Sequence, residues 1–431
     1  MAARTPPAQL MGGGERSADG AASLRGQWSY RVGLVGKPSV GKSSLFNALT
    51  HATVADGGAR AAKVGAAPFT TIDPNLGAGW WAAPAASEPA SLVEARSACE
   101  HGRAADGRRL LPVALLDIAG LVPGAYLGRG KGNQFLNDLT TCDALIHVTD
   151  AAGFTDAGGN PTLAAFEAAG AAEGDGDGDG TDNGPSAEIE WVHAEVHRWV
   201  FSNVLRKRPT WKRRPAKLKG MFGYGNSPAL VDGVLRRCRA ASAEAAGGRQ
   251  WAPTVDDVAA VALAAAHDEV ELHRLVAHFV AARWPIAIAL NKCDGPSAAK
   301  NIEACRAAHP DRTMVPCSAA AELTLLEARA AGTVEYSLGA GKAVADGADA
   351  KVADALRVLE QWGSTGALEA LSAAVALRPP TLAFPVAALD TLAPLGAPPD
   401  APPLRDCLQM KPLSTAGDVD EAAKKLSLIH I

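Results

Sequence analysis

Five short boxes stand in a fixed order along this chain, and four of them follow directly on a short apolar run. They read GKPSVGKS (36–43), PFTTIDPN (68–75), DIAG (117–120), NKCD (291–294) and CSAA (317–320). The apolar runs are RVGLV (31–35), VALL (113–116), PIAIAL (285–290) and MVP (314–316). Runs of this length, bounded by loop residues, suit strands buried on both faces. SLFNAL (44–49) begins a helix directly after the first box. Strands alternating with helical stretches predict an α/β fold with a mostly parallel sheet, its working loops at the carboxyl ends of the strands.

The chemistry of the boxes converges on a purine triphosphate. Gly36, Gly41, Lys42 and Ser43 fit G-x-x-x-x-G-K-S. The glycines let the backbone wrap phosphate oxygens with its N–H groups turned inward. Ser39, Val40 and Ser44 belong to the same cradle, and the helix that follows adds unpaired N–H groups and its dipole. Lys42 is expected between the β- and γ-phosphates, and Ser43 on Mg²⁺. Asp117 ends its strand as a second, water-mediated partner of the metal, and the Gly120 N–H faces the γ-phosphate. The Asp294 carboxylate is expected to accept from guanine N1–H and the 2-amine together. Adenine presents an acceptor at N1, so a site built this way rejects it by about 10⁴-fold. Asn291 braces the loop, the Lys292 stem covers the base, and a backbone N–H from Ser318, Ala319 or Ala320 meets guanine O6. Each box alone is weak. Their order, with strands correctly placed, is what points to GTP or GDP with Mg²⁺.

The switch regions carry a family resemblance. PFTT (68–71), DIAGLVPGA (117–125), GRGKGNQFLNDL (128–139) and WGSTG (362–366) resemble the Obg-related P-loop GTPases, nearest to the NKxD-bearing branch of the YchF/Obg-like subfamily. The resemblance runs over residues 31–372, with a weaker trace to 419. It implies a G domain split by a helical, coiled-coil-like insertion and followed by a β-grasp (TGS) domain. It also implies a ribosome- or translation-associated switch, with Thr71 (Thr70 competing) moving onto Mg²⁺ beside the catalytic Lys42 and Gly120. Three departures matter. Many YchF proteins carry N-x-x-E in the fourth box and prefer ATP, whereas NKCD restores the guanine-reading Asp. Ser39 replaces the Asn that in related switches helps hold potassium, so potassium activation is the less favoured expectation. The carboxyl-terminal part is too short for a whole TGS domain. It closes on LSLIHI (426–431), which reads as a translated adapter end of a shortened copy. Leu121 stands where Ras-type switches have a water-orienting Gln, so hydrolysis is expected to be slow, about 10⁻⁴–10⁻³ s⁻¹. Arg129 and Lys131 read as solvated loop charges near the switch. Two alternatives stay open: a nucleotide-gated scaffold with negligible turnover, and a YchF-type ATPase.

At 431 residues and a net charge of −4, the chain has room for two or three domains and is not wholesale nucleic-acid-binding. Its seven cysteines show no C-x-x-C spacing, which fits a reducing, cytoplasmic setting. No apolar run approaches membrane-spanning length. The expected divisions are a disordered extension (1–28, with a transit peptide as the alternative), G domain (29–152), acidic linker (153–186), helical insertion (187–283), G domain (284–380) and partial TGS-like segment (381–431). GDGDGDGTDNG (174–184) reads as flexible linker rather than a calcium loop. Ser186 is the expected cap of a helix carrying Ile189, Val192, Val196, Trp199 and Val200 at helical spacing. His193 and His197 on it read as ordinary surface histidines. A second helix (255–282) is expected to pair with it as a hairpin. Between them, RKRPTWKRRPAKLK (206–219) contributes Arg206, Lys207, Arg208, Lys212, Arg213, Arg214, Lys217 and Lys219 with no acidic residue. Such a strip neutralises phosphates, with Trp211 placed to stack a base, and ribosomal RNA is the expected partner. A solvated loop is the equal alternative.

Overall fold

The computed structural model describes residues 28–51, 75–85, 101–121, 124–127, 132–156, 158–162, 184–214, 228–245, 264–345, 349–395, 403–412 and 414–420, with Cys99, Lys217, Leu218, Val261 and Gly347. The central sheet is built from β1 (Arg31–Val35), β2 (Asn75–Ala82), β3 (Leu110–Asp117), β4 (Ala144–Asp150), β5 (Ile286–Asn291) and β6 (Met314–Pro316). Its order is β2-β3-β1-β4-β5-β6. All neighbours run parallel except β2, which lies antiparallel to β3. The mostly parallel α/β sheet expected from the apolar runs is therefore present. Register aligns the strand ends: Leu34 sits opposite Asp117 and Ile146, and Asp150 opposite Asn291. The first, third and fourth boxes thus leave the sheet at one edge.

The helices are α1 (Lys42–Thr50), α2 (Gly132–Thr140), α3 (Pro185–Arg206), α4 (Arg208–Arg213), α5 (Pro228–Ala245), α6 (Glu269–Arg283), α7 (Ala298–Ala308), α8 (Ala319–Ala330), α9 (Ala350–Trp362) and α10 (Ala367–Ala376). Strand alternation divides the core between the two faces of the sheet. Val32 and Leu34 join Leu45, Phe46, Leu371 and Val375 under α1 and α10. Val35 joins Ile118, Phe135, Leu139 and Leu145 on the other face, and that cluster runs on without a break into the insertion through Val192, Val196, Phe279 and Trp284. Arg283 fixes the junction by donating to the carbonyls of Cys142 and Thr140, both at 2.6 Å.

The insertion departs from its expected form in three ways. Ser186 does not cap α3. Gly184 holds that position and Pro185, whose fixed φ suits a first helical residue, starts the helix. The Ser186 hydroxyl lies 3.0 Å from His309 Nε2 instead. The pairing is not a two-helix hairpin either, because α5 packs into the same cluster through Val231, Val234, Leu235 and Cys238. Those four positions follow the i, i+3, i+4, i+7 spacing of a helix face. Lastly, residues 153–156 and 158–162, expected as the start of a linker, fold against the first box. Lys37 donates to the Thr155 carbonyl at 2.8 Å, and a Cβ on Gly159 would fall 2.7 Å from Pro38 Cβ. The acidic tract 163–183 and the segment 251–260 lie outside the described residues.

Beyond the second half of the sheet come two short antiparallel pairs. These are β7 (Val334–Glu335) with β8 (Val344–Ala345), and β9 (Thr381–Ala383) with β10 (Leu408–Met410). Gln409 of β10 clamps the latter pair to the sheet. It accepts from Trp81 Nε1 at 3.0 Å and donates to the Pro112 carbonyl at 2.6 Å. Among the described residues no helix is long and apolar enough to cross a membrane.

Candidate nucleotide-binding site

The first box forms a turn that ordinary side chains resist. Gly36, Ser39 and Gly41 all have positive φ (148°, 61° and 95°). A Cβ on Gly36 would lie 2.3 Å from the Val148 carbonyl oxygen, and one on Gly41 2.3 Å from Asn291 Nδ2, so only glycine fits either place. The loop delivers Gly41 as the cap of α1 with no side-chain acceptor on the first N–H groups. Lys42 is buried, and its ammonium donates to the Lys37 carbonyl at 2.8 Å, closing the cradle. Burial pushes its pKa down to about 8, against the pull of Asp117 and Glu188.

The third box meets the first. Ser43 Oγ donates to Asp117 Oδ2 at 2.6 Å, and Asp117 is fully buried. A hydroxyl and a carboxylate side by side at the mouth of a phosphate loop are the hard oxygen donors that Mg²⁺ prefers, so these two residues fit that ion. Gly120 lies over the first box, where a Cβ would fall 3.0 Å from Pro38 Cγ. Leu121 donates its N–H to the Gly36 carbonyl at 3.0 Å and buries its side chain in the core. It therefore lies away from the cradle.

Asn291 is buried, and its amide bonds on both sides. Its Nδ2 donates to the Val40 carbonyl at 2.7 Å, and its Oδ1 accepts from the Ala319 N–H at 3.0 Å. One amide therefore clasps the first and fifth boxes. Cys293 N–H donates to the Cys317 carbonyl at 3.0 Å, tying the fourth box to the fifth. Asp294 stands exposed on that loop. Lys292, at φ 59°, anchors its ammonium 2.8 Å from Asp150. In the fifth box the Ser318 N–H is engaged by the Thr365 carbonyl at 2.8 Å, while its hydroxyl caps α8 by accepting from the Ala321 N–H at 3.1 Å. Ser318 and Ala319 are buried and their N–H groups engaged, and Ala320 is exposed in the first turn. The fifth box is itself held by the WGSTG turn: a Cβ on Gly366 would fall 1.8 Å from the Pro316 carbonyl oxygen.

Comparison with known proteins bears on the family and the fold. Residues 31–167 match the family model described as "50S ribosome-binding GTPase", and residues 289–388 the one described as "Obg-like GTPase YGR210-like, G4 motif-containing domain". An uncharacterized GTP-binding protein of Schizosaccharomyces pombe is 32% identical over 415 residues, covering 90% of this chain and 89% of that one. The chain belongs to the Obg-like GTPases. A GTP-binding protein of Methanocaldococcus jannaschii is 30% identical over 351 residues, covering 80% of this chain and 78% of its own length. The fold is shared with a crystal structure of a GTP-binding protein from Pyrococcus horikoshii OT3, at a TM-score of 0.57 and 22% identity over 90% of this chain and 88% of that one.

This Obg-like chain holds its site together with residues the boxes do not predict. Lys37, inside the phosphate loop, is buried and pairs with Glu188 of α3 at 3.1 Å. Glu195, two turns further along α3, accepts from the N–H groups of Gly124 and Tyr126 at 2.9 and 3.1 Å. Both carboxylates fall on the stripe of α3 that carries Ile189, Val192 and Val196. An acidic residue on an otherwise apolar face was the available signal. The basic strip also differs from expectation. Trp211 is fully buried, donates Nε1 to the Val204 carbonyl at 3.2 Å, and is not presented for stacking on a base. Its apolar ring belongs to the insertion core, which outweighs its proximity in sequence to the cations. Arg208 is turned inward, donating through Nε to the Ala266 carbonyl at 2.8 Å. Arg206, Lys207, Lys212, Arg213, Arg214 and Lys217 are exposed. His197 meets His273 across the α3–α6 seam, with ring nitrogens 2.9 Å apart. Thr70, Thr71, Arg129, Lys131 and Lys219 lie outside the described residues.

Proposed function

We propose that the chain is a GTP-binding, slowly GTP-hydrolysing switch whose basic corner contacts ribosomal RNA. The observation that carries the reading is the Asn291 amide bridging Val40 and Ala319, since it sets the base-reading loops against the phosphate cradle. In this reading Lys42 neutralises the β- and γ-phosphates, and Gly36, Ser39, Val40, Gly41 and Ser44 supply the cradle around them. Ser43 and Asp117, with Thr71, would hold Mg²⁺, which would supply positive charge to offset that of the phosphates. Gly120 reports the γ-phosphate. Asp294 selects guanine, and the exposed Ala320 is the member of its box best placed to donate to O6. Calorimetry with GTP, GDP and ATP on the full chain tests this. Micromolar or tighter GTP binding that weakens on chelation of Mg²⁺ is expected, and equal binding of ATP would reject the guanine reading in favour of an ATPase.

A nucleotide-gated scaffold with negligible turnover is the second reading. The buried side chain of Leu121 favours it, since no glutamine at that position orients a water. Single-turnover phosphate release, with and without potassium and ribosomes, separates the two. The RNA part rests on six exposed cations at the α3–α4 corner and on an open depression lined by Pro209, Thr210, Arg213, Arg214 and Lys217. Neutralising Lys212, Arg213 and Arg214 together should weaken ribosome co-sedimentation and leave GTP binding intact. Unchanged co-sedimentation at physiological salt would remove this role. In the same reading the β9–β10 pair is the beginning of a TGS-like β-grasp unit, and the setting is cytoplasmic.

A further inference from the structure

Helix α3 touches the nucleotide machinery at two places, each through a buried carboxylate. Glu188, in its first turn, is 2% exposed and lies 3.1 Å from the ammonium of Lys37, itself 3% exposed. Lys37 is the residue whose carbonyl receives Lys42, so one residue of the phosphate loop is held from the cradle side by its backbone and from the insertion side by its side chain. His147 on β4 closes the pocket, with Nε2 3.8 Å from the other Glu188 oxygen. Seven residues on, Glu195 straddles the turn after the third box, accepting from Gly124 and Tyr126 with one oxygen each. Arg198, three residues further, sits over the Tyr126 ring at 5.8 Å. The far end of the same helix, at Arg206, leads into the exposed cations of α4.

These contacts are not those of an inert crossover. A buried ion pair contributes little net stability against an apolar replacement, yet breaking it leaves an uncompensated charge. Two backbone N–H groups bound to one carboxylate are released together when their segment moves. The described stretch 117–121 begins at Asp117 and passes Gly120, and Gly124 and Tyr126 follow closely in sequence, so in the GTP-switch reading a γ-phosphate met by Gly120 bears on both of these N–H groups. A bound triphosphate also brings several negative charges near Lys37 in a low-dielectric setting, where it competes with Glu188 for the ammonium.

We propose that α3 is the output lever of this chain, reading the phosphate loop through Glu188 and the switch after the third box through Glu195, and carrying the state to the basic corner. This inference rests on the GTP-switch reading above. By linkage, whatever binds the corner alters nucleotide affinity by the same factor, typically about 5- to 100-fold. Glu188 and Glu195 are positioning residues in this scheme, since each acts through other groups: Glu188 through Lys37, and Glu195 through the N–H groups of Gly124 and Tyr126.

The test is hydrogen–deuterium exchange of amides in residues 185–213 of the full chain, with GDP and with a non-hydrolysable GTP analogue. Three proteins are compared: wild type, Glu195→Gln, and the double variant Lys37→Met with Glu188→Met, which removes both buried charges. The wild type should show about a fivefold or larger difference in exchange between the two nucleotide states. Each variant should lose most of that difference, and Glu195→Gln, which leaves the phosphate loop untouched, should bind nucleotide within about tenfold of wild type. No difference in the wild type, a result that needs no variant to fold, overturns the inference, and so does a full difference retained in both variants. Failure of the wild type to bind either guanine nucleotide overturns the GTP reading and this inference together, whereas binding without a response at α3 overturns the inference alone.

Discussion

Asp294 is an exposed carboxylate on a loop whose other members are buried or half-buried, and in the guanine reading that exposure leaves it available to a base. Asp294→Asn replaces an acceptor pair with a mixed donor and acceptor. GTP affinity should then fall by about 100-fold or more while ATP binding changes little, as read by paired titrations. Glu322 makes a different prediction. It is buried in the first turn of α8, accepts from the hydroxyls of Tyr336 and Thr365, and burial pushes its pKa up to about 7. The folded chain then keeps a proton that the unfolded chain has released. Stability should therefore fall as pH rises from the ordinary carboxyl range through about 7, by an amount of order 3 kcal/mol. Glu322→Gln should flatten that slope in thermal melts taken across the same range. Because Thr365 also holds Ser318, the network bears on the fifth box as well as on stability. Gly366→Ala tests that link: its φ of 77° and the Pro316 carbonyl leave no room for a methyl group, so guanine affinity and stability should drop together.

Helices divide between those that periodicity exposes and those that it hides. In α3 the apolar residues recur cleanly, and the helix forms where the spacing puts it. α5 carries an equally regular set of apolar positions, but arginines and small residues around them dilute the contrast between its faces. The result is a three-helix pack where a hairpin was expected. Trp211 shows the same limit at a single position. Flanked by cations, it reads as an RNA-stacking ring, yet a side chain of that apolar area is driven into the core whatever its neighbours in sequence. Trp211→Ala should cost about 3–5 kcal/mol in urea unfolding. Neutralising the exposed Lys212 and Arg213 should change stability by no more than about 0.5 kcal/mol. The two substitutions thus separate the packing role of α4 from its charge.

At the scale of the molecule, the mostly parallel sheet and the meeting of the first, third, fourth and fifth boxes were legible because each of these boxes sits at the carboxyl end of a short apolar strand, a pattern that depends on local sequence alone. Lys37, Glu188 and Glu195 were not legible. Their meaning depends on which residues of a distant helix reach the loop, and no local pattern carries that. The placement of β2 was equally hidden, since its glycines and paired tryptophans do not alternate as a half-buried strand should.

Helix α6 ends at Arg283 and feeds straight into β5, so it serves as the return leg by which a parallel neighbour of β4 is reached. A miniaturised version of this protein must therefore prune selectively. Trimming away α4 and α5 keeps the return leg in the chain but uncovers the core it shares with Trp211, Val231 and Leu235, while cutting back to Pro285 would strip the sheet of the Arg283 and Trp284 anchors and sever the route by which its two halves become one domain.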